Sequence, residues 1–363
     1  MSTLLLTAML TTIAIYKDRT KGNDDMTITP PPMPMPMHQP EQHPNGVINP
    51  MNIDPAAPLF IVLNAASGSD EAVTVREIIE TELRQAGRKF ELSLVTRAET
   101  ITDVAHATVR RAREHSGVVV AAGGDGTINA MAQATLGSGC PFGIIPQGTF
   151  NYFGRTHNLP EDTIEATRVL LSPLAYPIQV GLVNDRVFLV NASLGLYPQV
   201  LEDRETYKRK LGRNRWVAWL SGLYTVLHYH RQLNLTIEHK GKIRALVTPT
   251  LFVGNNRLQL EQIGIEEASV ADKGELTAIA IRPVNTLTMI GLGFRGALGQ
   301  LGEADHVLSF SFQSIVVKPA LLFGRKFIKV ATDGEITRLR SPIKFHVADQ
   351  PLYLLKPAPV EEK

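Results

Sequence analysis

The sequence has one cysteine, little net charge and no apolar run long enough to cross a membrane. Cys140 has no second cysteine to pair with, which favours a reducing compartment such as the cytoplasm. A formal net charge of +2 over 363 residues argues against a broad nucleic-acid surface. The apolar residues 4–15 fall short of the roughly 20 that a spanning helix needs. No basic residue precedes them, as a signal peptide would require.

The first 57 residues lack the composition of a folded domain. Proline and methionine are dense from Thr27 to Pro58, and such a segment cannot bury enough apolar surface to fold alone. We therefore expect a disordered tail over residues 1–57, with Met26 and Met51 as alternative start sites.

The pattern of apolar residues in the remaining chain changes near Leu171, and the length of this part leaves room for two domains. The predicted elements before that point are strands at 59–63, 90–95 and 118–122 and helices at 70–86 and 101–114. Strand–helix alternation predicts a parallel sheet with helices on both faces over residues 58–174. The later part has short alternating runs separated by turns, which predict a β-rich domain, arranged as a sandwich, over residues 175–358.

The strand at 118–122 runs into a glycine-rich turn, Gly123-Gly-Asp-Gly-Thr127, and a helix is predicted from about Thr127. Three glycines in four positions permit positive φ and close approach of the backbone to a ligand. The N–H groups at the start of a helix attract anions, so we interpret the turn as a phosphate site. The alternative is a turn that serves only tight packing. Asp125 would repel a phosphate, which indicates a metal ion or a proton transfer at this point.

Two further turns follow neighbouring predicted strands. One is Asn64-Ala-Ala-Ser-Gly68, and the other contains Gly148-Thr149 and Asn151 after Pro146. Turns at the ends of successive strands lie where open α/β sheets bind ligands. The sequence has no Gly-x-x-x-x-Gly-Lys-Ser/Thr pattern, which excludes a Walker-type nucleotide site.

Two of these motifs carry a resemblance to a known family. Gly-Gly-Asp-Gly-Thr-Ile-Asn, starting at Gly123, and Pro-Gln-Gly-Thr-Phe-Asn-Tyr-Phe, starting at Pro146, resemble the glycine loop and second loop of the diacylglycerol kinase catalytic-domain family. This family includes bacterial lipid kinases and sphingosine kinases. NAD kinases and phosphofructokinases share a similar first motif only. The resemblance extends from about Leu59 to Leu355.

The resemblance implies a fold and a reaction. The expected fold is an α/β N-terminal domain with a parallel sheet, like that of phosphofructokinase and NAD kinase, plus a C-terminal β-sandwich domain. The expected reaction is transfer of the γ-phosphate of ATP to a lipid hydroxyl, with Mg²⁺ and with diacylglycerol as the default acceptor. The implied nucleotide-binding residues are Asn64, Ser67, Gly68, Thr96, Gly123, Gly124, Asp125, Gly126, Thr127, Asn129, Gly148 and Thr149.

The resemblance also implies roles for acidic residues of the second domain. Phosphoryl transfer needs a carboxylate that accepts the hydroxyl proton. By resemblance Glu335 is that base, Asp333 is second, and Asp125 assists through a metal ion or a proton. An Asp-Gly pair between strands would by itself predict only a turn. At the family's accessory metal site Lys273 replaces a carboxylate, which leaves Asp272 as the candidate ligand.

The expected partner is a lipid substrate at a membrane surface, with no nucleic acid, and the expected location is cytoplasmic and peripherally membrane-associated. Residues 207–220 place five cations beside two tryptophans, which suits a membrane interface. A helix packed on the sandwich is the alternative for this segment, and a homodimer is left open.

Two other functions stay open at this point. A sphingoid base is an alternative acceptor, for which Glu202 and Asp203 are candidate partners of the amine. An inactive lipid-binding regulatory protein is a second alternative, indicated by Ala65 and Lys273 at positions where the family has other residues.

Overall fold

A computed structural model describes residues 49–64, 69–95, 101–196, 198, 232–239, 241–262, 264, 274–284, 288, 291–292, 295, 300, 305–320 and 326–357. Its strands are β1 (Met51–Asn52), β2 (Leu59–Asn64), β3 (Phe90–Val95), β4 (Val118–Gly123), β5 (Phe142–Pro146), β6 (Leu174–Ile178), β7 (Gly181–Val183), β8 (Arg186–Phe188), β9 (Asn191–Gly195), β10 (Leu233–His239), β11 (Lys242–Thr248), β12 (Thr250–Gly254), β13 (Leu276–Ile281), β14 (Val307–Phe312), β15 (Ser314–Pro319), β16 (Phe327–Thr332), β17 (Glu335–Arg340), β18 (Ile343–Val347) and β19 (Leu352–Leu355). Its helices are α1 (Ser69–Gln85), α2 (Ile101–Glu114), α3 (Asp125–Thr135), α4 (Tyr152–Thr156), α5 (Thr163–Val169) and α6 (Arg257–Gln262).

The first domain is a seven-stranded sheet in the order β1-β6-β19-β5-β4-β2-β3. Strands β2 to β5 run parallel, and β19 joins them parallel to β5. Strands β6 and β1 complete the sheet as antiparallel neighbours. The central strands are apolar along their whole length because both faces are covered. Helices α1 and α5 pack on one face, and α2 and α3 pack on the other.

The second domain consists of two six-stranded sheets in the orders β11-β10-β15-β18-β7-β8 and β14-β13-β12-β9-β16-β17. All their described strand pairs are antiparallel. One core cluster joins the sheets, with Phe188 and Phe345 from the first and Leu251 and Phe312 from the second. This arrangement confirms the predicted sandwich.

The expected domain boundaries differ from the structure at both ends. Strand β1 pairs with β6, and Ile53 packs in the core of the first domain, so order begins before residue 58. Strands β6 and β19 belong to the first sheet, although the sequence placed both in the second domain. The second domain therefore runs from β7 to β18 as an insertion between them.

Several residues predicted from the sequence lie outside the described residues. They are residues 1–48, Ala65, Ser67, Gly68, Thr96, Glu202, Asp203, residues 207–220, Asp272 and Lys273. Within the described part of the chain, no helix combines the length and apolarity needed to cross a membrane.

Candidate active site

The glycine-rich turn joins the carboxyl end of β4 to α3. The helix begins at Asp125, two residues earlier than predicted, and Gly124 is its N-cap in extended conformation, with φ −78° and ψ 178°. No side chain of the described residues caps this helix. The N–H groups of its first turn point out of the N-terminal end of the helix, and no side chain accepts a hydrogen bond there. Together with the helix dipole they form a site suited to an anion such as phosphate.

The glycines of this turn serve close approach rather than positive φ. Gly123, Gly124 and Gly126 all have ordinary φ values, so the expectation of positive φ was wrong. A Cβ on Gly123 would lie 2.8 Å from Cβ and Oγ1 of Thr127, whose side chain folds back over the turn. Asn64 fixes that hydroxyl, because its Nδ2 donates a hydrogen bond of 2.7 Å to Thr127 Oγ1. The end of β2 therefore holds the start of α3.

The second predicted turn packs directly against the first. The N–H of Gln147 donates to Gly123 O at 2.9 Å, and a Cβ on Gly148 would lie 3.0 Å from Gly124 Cα. The N–H of Gly148 donates to Asn151 Oδ1 at 2.9 Å, so this predicted phosphate donor is already occupied. Thr149 is exposed at the same turn. The two turns together form one wall of backbone.

Asp333 lies in the hairpin turn between β16 and β17, which brings it to the glycine turn. The residue has φ 47° and Gly334 has φ 88°, as a tight hairpin turn requires. Oδ1 of Asp333 accepts from the N–H groups of Val190 and Asn191, both at 2.9 Å. Its Oδ2 accepts from Leu189 N–H and from Asn129 Nδ2, both at 2.7 Å. Burial raises the pKa of this carboxyl, and the four donors oppose that rise.

The amides of α3 join the two domains, a role that sequence reasoning missed. Asn129 Nδ2 donates both to Asp333 and to Val187 O, at 3.1 Å for the latter. One turn further, Gln133 Oε1 accepts from Val187 N–H at 2.7 Å, and its Nε2 donates to Asp185 O at 3.2 Å. Asn129 therefore positions α3, and it lies too far into the helix for its N–H to bind phosphate. The sequence did contain a signal for this role, because Asn129 and Gln133 are four residues apart and therefore lie on the same side of the helix.

Glu335, the first residue of β17, lies against the glycine turn at the junction of the two domains, which we call the cleft. A Cβ on Gly126 would lie 3.2 Å from Glu335 Oε1, so glycine leaves room for this carboxylate. The side chain is open to solvent. The pKa of Glu335 is raised by loss of solvation and by the charge of Asp333, while Arg186 opposes the rise.

Asp125, at the start of α3, lies between the glycine-rich turn and the second turn, and it is near Asp333. Burial and the charge of Asp333 raise its pKa to about 6, although N–H groups of Phe153, Tyr152 and Asn151 act in the opposite direction. Its Oδ1 is buried and has no hydrogen-bond partner among the described residues. The structure thus brings all three predicted carboxylates to one cleft, and each is in a different environment.

The free atoms of the cleft determine which groups it can hold. The uncapped start of α3 fits a phosphate, and the unpartnered Oδ1 of Asp125 fits a cation beside that phosphate. The described residues contain no cluster of three or more side chains that could hold a metal ion by themselves. Mg²⁺ in nucleotide sites usually takes one or two carboxylates plus phosphate oxygens, so the cleft is compatible with it.

Comparison with known proteins adds independent information. Residues 58–183 match the model of the diacylglycerol kinase catalytic domain. The chain is similar to "Diacylglycerol kinase" of Bacillus subtilis (strain 168), with 33% identity over 190 residues, 50% of this chain and 60% of that protein. It is also similar to the protein of that name from Staphylococcus aureus (strain MRSA252), with 27% identity over 247 residues, 67% of this chain and 75% of that protein.

The fold is that of solved bacterial structures. A putative diacylglycerol kinase from Bacillus anthracis str. Sterne superimposes with a TM-score of 0.64 at 20% identity, covering 83% of this chain and 95% of that one. Fold and site together define the class, a two-domain protein with the fold of these structures and a segment similar to the diacylglycerol kinase catalytic domain. Residues 58–183 of the chain are thus similar to a diacylglycerol kinase catalytic domain. The aligned segment spans about 60% of the B. subtilis relative.

Proposed function

We propose that the protein transfers the γ-phosphate of ATP to a lipid hydroxyl, with diacylglycerol as acceptor and phosphatidic acid as product. The observation that carries this proposal is the position of Glu335 directly opposite Gly126, at the start of the uncapped helix α3. A proton acceptor and an anion site therefore face each other across one cleft. The names of the B. subtilis and S. aureus relatives support diacylglycerol as the acceptor.

The first domain supplies the phosphate site. The N–H groups of the first turn of α3 bind phosphate oxygens, and the contact between Gly124 and Gly148 leaves the backbone wall free of side chains. The Gly148 N–H contributes no direct contact because Asn151 already accepts from it. Positioning of this kind accounts for most of the catalysis in phosphoryl transfer, which requires little covalent participation.

Asp125 is the residue of the cleft that would hold Mg²⁺ brought in with ATP. Bound there, the ion would neutralise charge on the phosphates. Asp333 does not fit this role, since four hydrogen bonds occupy both its oxygens. The raised pKa of Asp125 also fits a carboxylate that lacks a counter-charge in the protein alone.

The second domain supplies the base. Glu335 accepts the proton of the attacking hydroxyl, and its side chain is open to the cleft from which a lipid would approach. A raised pKa makes a carboxylate a stronger base near neutral pH, provided that it stays ionised. Asp333 keeps that base in place through the turn that precedes β17.

Transfer of radiolabelled phosphate from ATP to a lipid panel in neutral detergent micelles tests the proposal. We expect labelled diacylglycerol, and a loss of about 10²–10⁴ in rate for Glu335→Gln, the usual contribution of a general base. Glu238→Gln is the matched control, because this exposed carboxylate pairs with Lys318 at the sandwich surface. Labelling of sphingosine alone would favour the sphingoid alternative. Lipid binding without any transfer would favour the regulatory protein.

A further inference from the structure

One outward face of the β16–β17 hairpin is both basic and aromatic. The cross-strand pairs Phe327–Arg340 and Lys329–Arg338 lie on the same face, because directly opposed residues share a side of an antiparallel pair. Lys326 precedes Phe327 and is exposed. We call Phe327, Lys329, Arg338 and Arg340 the basic–aromatic face.

The opposite face of the hairpin fixes its position. Val330 is buried in the sandwich core, and Ile328 and Leu339 pack against that core. Alternation along a strand therefore directs Phe327 away from the core, and its side chain is 59% exposed. Arg338 and Arg340 on the edge strand β17 are exposed, whereas Ala331, on the same face nearer the turn, is fully buried.

The charge of this face is of one sign. It carries three cations and no acidic side chain, since Glu335 is paired with Thr332 and so lies on the other face of the hairpin. Lys326, Arg338 and Arg340 form no ion pair with the described residues. The preceding sequence, Leu321-Leu-Phe-Gly-Arg325, has the same composition, but it lies outside the described residues and is not part of the proposed surface.

We propose that the basic–aromatic face binds the surface of anionic lipid membranes. Clustered cations are attracted to anionic headgroups, and an exposed aromatic ring among them can enter the interface at low cost. This inference rests on the proposed function, because it explains how the enzyme reaches a lipid acceptor. The same hairpin carries Glu335 at its turn, about 17 Å along β17 from Arg340 at the usual strand rise. The proposed membrane surface and the proposed base therefore belong to one element of the fold.

The test compares vesicle binding by two variants of the full-length protein with equal charge loss. Arg338→Gln with Arg340→Gln neutralises the basic–aromatic face, while Lys242→Gln with Arg244→Gln removes two exposed cations from strand β11 of the other sheet. Sedimentation uses phosphatidylcholine vesicles with and without phosphatidylglycerol. We expect binding only to the anionic vesicles, a loss of about 30-fold for the first variant, and little change for the second. Phe327→Ser should also weaken this binding.

Activity in neutral detergent micelles separates the two proposals. If the wild-type protein phosphorylates lipid in micelles but both double variants bind vesicles equally, the membrane surface is refuted while the kinase assignment stands. If no lipid is phosphorylated yet the first variant alone loses vesicle binding, the surface is supported and the kinase assignment fails. Binding of the basic–aromatic face to duplex DNA or to a second copy of the chain, without vesicle binding, would overturn the membrane proposal.

Discussion

Asp333 and Glu335 are two residues apart in one hairpin, yet their surroundings give them different roles. The Asp333 carboxylate is buried and accepts four hydrogen bonds, which leaves no lone pair aimed at a substrate. The Glu335 carboxylate is open to the cleft and lies against Gly126. We therefore propose a positioning role for Asp333 and a proton-transfer role for Glu335, although the sequence motif alone treats them as a pair.

Asp333→Asn should act mainly on stability, by lowering the free energy of unfolding, and not directly on the chemical step. The amide nitrogen would face two donors that now share Oδ2, and each unsatisfied buried donor costs about 1–3 kcal/mol. We expect the free energy of unfolding in urea to fall by roughly 2–4 kcal/mol. Glu335→Gln should change it by less than about 0.5 kcal/mol, as is usual at exposed sites. An Asp333→Asn protein with wild-type stability and no activity would instead make Asp333 a catalytic residue.

Asp125→Asn should stabilise the protein while reducing its activity. The pKa of Asp125 is raised from 3.8 to about 6 on folding, so its ionised form opposes folding above that pKa. The native state binds the proton more tightly, and stability from this group increases as pH falls from about 6 to 4. We expect Asn to add on the order of 2–3 kcal/mol at pH 7.5 and roughly half of that at pH 5.

Urea unfolding at the two pH values checks this prediction. Asp162→Asn is a useful control for general charge effects, since Asp162 caps α5 at the surface through the N–H groups of Ile164 and Glu165. A gain from Asp125→Asn that is the same at pH 5 and pH 7.5 would show that ionisation of Asp125 does not oppose folding.

At the scale of elements, the periodic segments of the first domain were predictable. The strand Phe90–Val95 and the helix Ile101–Glu114 have the expected bounds, because amphipathic or continuous apolar patterns identify them directly. The run from Ala245 to Val253 is continuous and mostly apolar in the sequence, but it forms parts of β11 and β12 in different sheets. Pro249 lies between them, and proline cannot donate a ladder hydrogen bond.

The candidate site was predictable in its motifs but not in its contacts. The glycine turn and the Asp-Gly-Glu turn could be recognised, since each has a local pattern. The bonds of Asn129 and Gln133 to β8 could not be derived, because their partners lie more than fifty residues away in the chain. Likewise, nothing in the sequence shows that Asn151 occupies the N–H of Gly148.

The two glycine turns can be tested as a unit by alanine substitution. In Gly148→Ala the new Cβ would lie 2.8 Å from Asn151 Oδ1 and 3.0 Å from backbone of Gly124, so the turns must separate. We expect a loss of about 1–3 kcal/mol in stability, as for other overpacked sites. In Gly124→Ala the nearest atom is 3.5 Å away, an ordinary contact. That variant should keep its stability and lose ATP affinity, because the methyl group would occupy the phosphate wall.

Calorimetric unfolding and ATP titration separate these effects. Equal stability of the two variants would contradict the observed close packing of the turns. Unchanged ATP affinity in Gly124→Ala would place the phosphates elsewhere.

At the scale of the whole molecule, the second domain is an insertion into the first. The chain leaves the first sheet through β6 and returns to it through β19, and these two strands are hydrogen-bonded neighbours. A short apolar run predicts a strand but does not show which sheet that strand joins. The sequence therefore predicted two consecutive domains. Two features fix the second domain relative to the first. Its two ends continue into the neighbouring strands β6 and β19, and α3 is hydrogen-bonded to β8.

This topology makes the last described strand a core element of the first domain. Leu354 is fully buried in β19, next to Tyr176 of β6 and Phe142 of β5. Leu354→Ala should therefore lower the free energy of unfolding by about 2–5 kcal/mol, the usual cost of such a cavity. Leu94→Ala, in the edge strand β3 where the side chain is 45% exposed, should cost less than about 1 kcal/mol. Urea unfolding of both variants checks this, and equal effects would show that β19 is dispensable to the first domain.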